Sequence, residues 1–191
     1  FSAQQFQLFT EGAQTLQTAF PHHILRHICN SAGIARFHER HLDMVRLGIG
    51  LYGIDPIDNR VLHNVATLRT TILQIHEIPA GESIGYSRRT FTDRPTRIAV
   101  LPIGYADGLD RRLGNRVGHC LVDGRPAPYM GNICMDVCMI DVTDIPCGEG
   151  DSVEIFGDHL PISTLSDTLG PIPYEILTSV GGRIKRVYLQ E

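Results

Sequence analysis

Phe6, Phe9, Ala13 and Leu16 recur at near-helical spacing behind Ser2, a residue that favours helix N-caps, which predicts an amphipathic helix over residues 2–19. Residues 23–29 form a short apolar-rich run that closes on Asn30-Ser31 and leads into small residues suited to a helix start. A second apolar run, 44–53, ends among glycines. Strand, helix and strand in alternation is the order of βα units in a parallel sheet. After Asp55-Pro56-Ile57-Asp58 the pattern changes to period two. Residues 68–78 alternate as one strand, 97–103 as another, and 120–122 and 125–127 flank Asp123-Gly124, a strong hairpin signal. Residues 139–142, 152–156 and 183–189 read as further strands, with short helices at 163–169 and 173–180. So many short strands separated by turns predict a mostly antiparallel β domain.

The expected fold is therefore mostly β in two parts, 1–58 and 59–191. The first part supplies about two βα units, whereas a closed eight-fold barrel needs roughly 250 residues. The chain opens mid-pattern, without Met and without a basic or apolar leader, and so reads as a piece of something longer.

Composition narrows the function classes. With 42% hydrophobic and 20% charged residues the chain is globular rather than disordered. No apolar run approaches the roughly 20 residues of a membrane span. A net charge of −4 with scattered arginines argues against a nucleic-acid partner. The 5 cysteines follow no disulfide rhythm, which suits a reducing, cytoplasmic setting. Of the 17 basic residues only Lys185 is a lysine, so chemistry that needs an internal lysine has one candidate.

Candidate chemistry starts with two tyrosines in glycine-rich turns, Tyr86 in Ile84-Gly85-Tyr86-Ser87-Arg88 and Tyr105 in Gly104-Tyr105-Ala106-Asp107-Gly108. Glycine lets the backbone approach a ligand while the phenol projects into a site, although a turn glycine beside an interfacial aromatic has the same spelling. Asn30-Ser31 ahead of a helix offers a phosphate its free N–H groups, and ordinary N-capping explains the pair equally well. Arg46 at the end of a run is a site residue or a salt-bridged rim residue. Histidine spacing suggests no metal, and Cys134 with Cys138 is too few ligands for zinc. There is no P-loop, G-x-G-x-x-G or Ser/His/Asp order.

Taken in order, several motifs add up to more. Cys29-Asn30-Ser31-Ala32, Val45-Arg46-Leu47-Gly48-Ile49-Gly50-Leu51-Tyr52-Gly53, Gly85-Tyr86-Ser87, Pro102-Ile103-Gly104-Tyr105-Ala106-Asp107-Gly108, Gly131-Asn132-Ile133-Cys134-Met135-Asp136 and Pro173-Tyr174-Glu175 resemble the C-terminal half of bacterial alanine racemase, over essentially the whole chain. The resemblance implies the end of a pyridoxal-phosphate-binding (βα)8 barrel followed by the family's C-terminal β domain. It implies an isomerase that interconverts L- and D-alanine for peptidoglycan, and a homodimer packed head to tail, each site combining one chain's barrel with the other's β domain. Two bases on opposite faces of the substrate are implied, the cofactor's lysine and Tyr86. A phenol is a weak base at neutral pH, so positive charge or hydrogen bonds must activate it.

By the same resemblance Arg46 donates to the pyridine nitrogen; a guanidinium cannot accept a proton, so that nitrogen stays unprotonated. Asn30, Ser31, the Gly48 and Ile49 amides and Tyr174 correspond to the phosphate cradle. Met135 corresponds to the residue whose N–H meets the substrate carboxylate, and Tyr105 to the tyrosine that narrows the pocket. Arg111 and Ile172 fall at corridor positions, and Asn132 stands where many members carry arginine. The family's lysine motif is absent; Lys185 matches no cofactor position, which implies that the chain alone is inactive. Other readings remain: a non-catalytic dimerisation and site-completing module, a racemase of another small amino acid such as serine, or a parent fused to a Mur-type ligase.

Overall fold

The computed structural model describes residues 1–189 and divides into two compact units, residues 1–63 and the chain from Asn64 onward. Among the described residues no helix is long and apolar enough to cross a membrane, and no cluster of His, Cys, Asp and Glu suits a metal.

The first unit opens with α1 (Ser2–Ala19), as the periodicity predicts. Its short second helix, α2 (Ser31–Arg36), is capped by Asn30, whose Oδ1 accepts the Gly33 N–H at 2.9 Å. The runs at 23–29 and 44–53, expected as strands, are not strands here. They lie side by side in the same direction, joined by Asp43 N–H to the Arg26 carbonyl at 3.2 Å and Arg46 N–H to the Cys29 carbonyl at 2.9 Å. The end of the second run tightens into a 3-10 turn, Ile49–Tyr52. Two main-chain bonds do not make a ladder; a lone pair of extended segments lacks the flanking strands that stabilise a parallel sheet. Leu25, Ile28, Met44, Leu47 and Leu51 are correspondingly exposed. Asp43 reinforces the pairing, its Oδ2 accepting from both Nε and backbone N of Arg26 at 2.9 Å. The Arg26 side-chain bond first, and its backbone bond second, pull the Asp43 carboxyl down to about 2.

The second unit is built from β1 (Leu68–Thr71), β2 (Gln74–Ile78), β3 (Ser83–Ile84), β4 (Thr90–Phe91), β5 (Thr96–Leu101), β6 (His119–Val122), β7 (Arg125–Met130), β8 (Cys138–Asp141) and β9 (Ser152–Phe156). They are followed by α3 (Ile162–Leu169) and α4 (Pro173–Ser179). Seven strands pair antiparallel in the order β1-β9-β6-β7-β8-β5-β2, and β3 with β4 forms a separate hairpin. The two edge strands are neighbours in sequence. Residues 68–78 are therefore not one strand: Ile72 still bonds Asp151 and Gly150, beside β9, while the Leu73 N–H already reaches Val100 in β5. A single strand could not serve both edges. β7 divides its bonds likewise, pairing β6 through Pro128 and β8 from Tyr129. The folded sheet closes over Leu101, Cys120, Val122, Tyr129, Cys138, Ile140, Val153 and Ile155, all buried.

The expected final strand over 183–189 is absent. Arg186 binds the carbonyls of Val180, Gly181 and Ile184, curling the chain into a turn, and Val187, Tyr188 and Leu189 stay exposed. Alternation without a face to bury does not make a strand. Lys185 lies exposed in this irregular segment rather than in a strand.

Candidate functional site

The connection from β7 to β8, residues 131–137, is where the chemically interesting turns of the second unit meet. Its carbonyls hold the Tyr105 turn: Tyr105 N–H donates to Cys134 O, and Ala106 N–H to Met135 O, each at 3.0 Å. Gly104 makes this approach possible, because a Cβ there would sit 2.3 Å from Met135 O. Beneath the turn Asp107, only 3% exposed, accepts the Gly104 N–H at 2.9 Å. The Arg183 guanidinium reaches Asp107 at 2.7 Å and Asp136 at 2.5 Å, tying the segment after α4 to both turns. Tyr105 and Met135 thus stand together, both with exposed side chains, and the Met135 N–H has no acceptor among the described residues.

Tyr86 opens a 3-10 turn, Tyr86–Arg88, between β3 and β4, with its side chain 75% exposed. Gly85 ahead of it has φ +72° and ψ −172°, a conformation essentially confined to glycine. Ser87 and Arg88 behind it also have positive φ, which costs a non-glycine residue about 1–2 kcal/mol each. The turn is held by the 131–137 connection, since Asn132 Nδ2 donates to the Tyr86 carbonyl at 2.9 Å, and by Arg88 Nε bonding Ser83 Oγ at 2.9 Å. Asn132, Cys134 and Met135 therefore bring the two tyrosine turns to one loop.

Arg111 extends the Tyr105 side, its guanidinium 5.7 Å from the ring centre, within cation–π range. Tyr105 and Arg111 also border a cavity of about 300 Å³, with Leu109, Leu165, Glu175 and Ile176 among its walls. Ile172 is exposed just ahead of α4, and Tyr174, half-buried, sits in its first turn.

In the first unit, Ser31 is buried, and its Oγ accepts N–H bonds from Gly48 at 2.8 Å and Gly50 at 3.4 Å. Accepting both leaves the hydroxyl proton for a further acceptor. Asn30, Ser31 and Gly48 are thus brought together, with Ile49 opening the next turn. Arg46 is exposed, its backbone N–H bonded to Cys29.

Arg183 and the Asn115 and Thr90 side chains behind Asn132 carry no motif-level mark of a site. Asp107 lies inside the Tyr105 motif without a role assigned to it, although an acid three residues after a turn's first residue reaches back to its N–H.

Family models match both units, one described as the alanine racemase N-terminal domain over residues 1–56 and one as the alanine racemase C-terminal domain over 65–188. The chain is 40% identical to the alanine racemase of Desulfosudis oleivorans, across 96% of this chain and 50% of that protein. It is 39% identical to the alanine racemase of Helicobacter pylori, across 86% of this chain and 47% of that one. Among solved structures, alanine racemase of Clostridium difficile 630 in complex with cycloserine superposes with TM-score 0.89 at 32% identity, covering 98% of this chain and 52% of that one. The Bartonella henselae alanine racemase with covalently bound pyridoxal phosphate gives 0.84 at 36%, with the same coverage. The chain spans about half the length of the relatives it matches.

Proposed function

The chain belongs to the alanine racemase family, and from that premise we propose that it forms the C-terminal half of an enzyme that interconverts L- and D-alanine. The observation that carries the reading is the convergence of the Tyr86, Tyr105 and Met135 turns on the 131–137 connection. A base, a steric wall and a carboxylate donor gathered around one loop suit a small amino acid.

The donors around Ser31 fit a phosphate: a hydroxyl with a proton to spare, at the start of a helix and beside the Gly48–Ile49 backbone. Pyridoxal phosphate, when bound, makes the amino acid's Cα–H acidic. Ser31 and the Gly48 and Ile49 amides, with Asn30 fixing the helix start, would hold the phosphate. Arg46 would donate to the ring nitrogen, and a guanidinium, which does not give up its proton, would leave that nitrogen unprotonated. Met135 N–H binds the substrate carboxylate, and Tyr105 limits the side chain to about the size of a methyl group. Tyr86 Oη takes the proton from the L face and returns it there in the reverse direction.

Lys185, the one lysine, is exposed in the irregular segment after α4 and matches no cofactor position of the family, so the lysine that bears the cofactor is assigned to the other half of the protein. The working unit is a head-to-tail homodimer in which Tyr86 serves the partner's cofactor. Its setting is the cytoplasm and its product D-alanine for the cell wall.

The test is chiral chromatography on the longer protein that contains this chain, supplied with pyridoxal phosphate. Conversion of L- to D-alanine faster than of L-serine supports the reading, and no D-alanine from an enzyme that has bound the cofactor overturns it.

A further inference from the structure

Behind Tyr86 lies a row of side-chain hydrogen bonds that all point the same way. Thr90 Oγ1 donates to Asn115 Oδ1 at 2.8 Å, Asn115 Nδ2 to Asn132 Oδ1 at 2.9 Å, and Asn132 Nδ2 to the Tyr86 carbonyl at 2.9 Å. Thr90 is buried in β4, on the far side of the turn from Tyr86. Asn115 is fixed independently, its N–H bonded to the Gly131 carbonyl at 2.8 Å. The row therefore spans the turn from its C-terminal strand back to its first residue.

We propose that Asn132, backed by Asn115 and Thr90, is a positioning residue for Tyr86, holding the strained 86–88 turn so that the phenol stands at one place. The need for such a holder is written in the backbone. Gly85, Ser87 and Arg88 have φ of +72°, +67° and +47°, and Tyr86 itself is exposed, so no packing around its ring fixes the turn. Strain of this kind persists only where surrounding bonds over-determine it. The β3–β4 hairpin supplies only two residue pairs, Ser83 with Phe91 and Ile84 with Thr90. Asn132 supplies the bond to the turn's first carbonyl, and aligned donors strengthen one another along the row.

This inference rests on the reading of Tyr86 as the L-face base, and its test separates the two. Asn132→Asp keeps the shape and the acceptor for Asn115 but removes the donor to Tyr86. On the chain as given, trypsin is expected to cut after Arg88 or Arg89 about three- to tenfold faster in Asn132→Asp and Asn132→Ala, the population change that one hydrogen bond supports. Cleavage elsewhere and the thermal midpoint are expected to change little. In the longer, cofactor-loaded protein the same variants are expected to slow Cα–H exchange from L-alanine with little change in KM, and to spare exchange from D-alanine. Unchanged cleavage at 88–89 overturns the proposal, as does equal loss from both enantiomers together with a lowered melting point, the pattern of general damage. Tyr86→Phe is the control: if it leaves L-alanine exchange intact, the base assignment fails, whereas the trypsin result still decides whether Asn132 holds the turn.

Discussion

Asp107 and Arg183 meet under the Tyr105 turn, the guanidinium Nε 2.7 Å from Oδ1 while Oδ2 accepts the Gly104 N–H. One buried carboxylate thus sets the start of a site turn and anchors the C-terminal segment. Asp107→Ala leaves the Gly104 N–H without its acceptor, which is expected to cost about 1–3 kcal/mol. Urea denaturation measures it, and Asp107→Asn, which keeps an acceptor, is expected to lose less. Equal stabilities for all three proteins would contradict this role.

Gly104→Ala drives a Cβ against the Met135 and Cys134 carbonyls, backbone atoms that cannot rotate away. The two loops are expected to part and the sheet to survive. Hydrogen exchange at the Tyr105 and Ala106 amides should quicken about tenfold or more, with an unchanged far-ultraviolet spectrum. Protection equal to the wild type would show that the loops tolerate the methyl group.

Glu154, buried in β9, gathers the turn after it. Burial raises its pKa, and bonds from His159 N, His159 Nδ1 and Leu160 N outweigh that, so the carboxyl ends below its ordinary 4.5. A lowered folded value means stability that is present above the ordinary value and drains away as pH falls through the folded one. Stability of the wild type should therefore fall below about pH 5 more steeply than that of Glu154→Gln. Parallel acid profiles would contradict the assignment.

The cysteines should sort by burial. Burial pushes the Cys120 thiol up to about 12 and the Cys138 thiol well above its usual value, and Cys29 is buried too. In the native protein a thiol reagent at pH 8 is expected to label Cys134 and Cys147 and to reach the other three only on unfolding. Fast labelling of Cys120 or Cys138 would mean that the sheet opens far more readily than its packing implies.

Local signals were legible wherever one segment determines its own conformation. Helix α1, the hairpin at Asp123-Gly124 and strand β9 follow from spacing and turn residues alone. What failed depends on neighbours. The runs at 23–29 and 44–53 carry strand-like composition, but composition does not supply the flanking strands a ladder needs. The break at Ile72–Leu73 is invisible in an alternating run because it reflects two different partners, Asp151 and Val100. At 183–189 the alternation is real, and Arg186 bonds to three carbonyls override it.

The site divides in the same way. The tyrosine turns and Asn30-Ser31 stand out as glycine and capping patterns, and their roles came from a family likeness rather than from spacing. Asn132 falls within a family motif, but nothing in the sequence links it to Tyr86 or to Asn115, which carries no signal at all. Asn115 and Asn132 are 17 residues apart and meet only because β6 and β7 fold back between them.

The central claim is that Tyr86 is the base on the L-alanine face. It is tested most directly by Cα exchange in deuterated solvent, using the longer cofactor-loaded protein and its Tyr86→Phe variant, which removes one hydroxyl and leaves the turn's bonds in place. Loss of a positioned base typically costs about 10²–10⁴ in rate. Exchange starting from L-alanine is expected to fall by that order while exchange from D-alanine persists. Equal rates in both proteins, or equal losses from both enantiomers, would contradict the assignment.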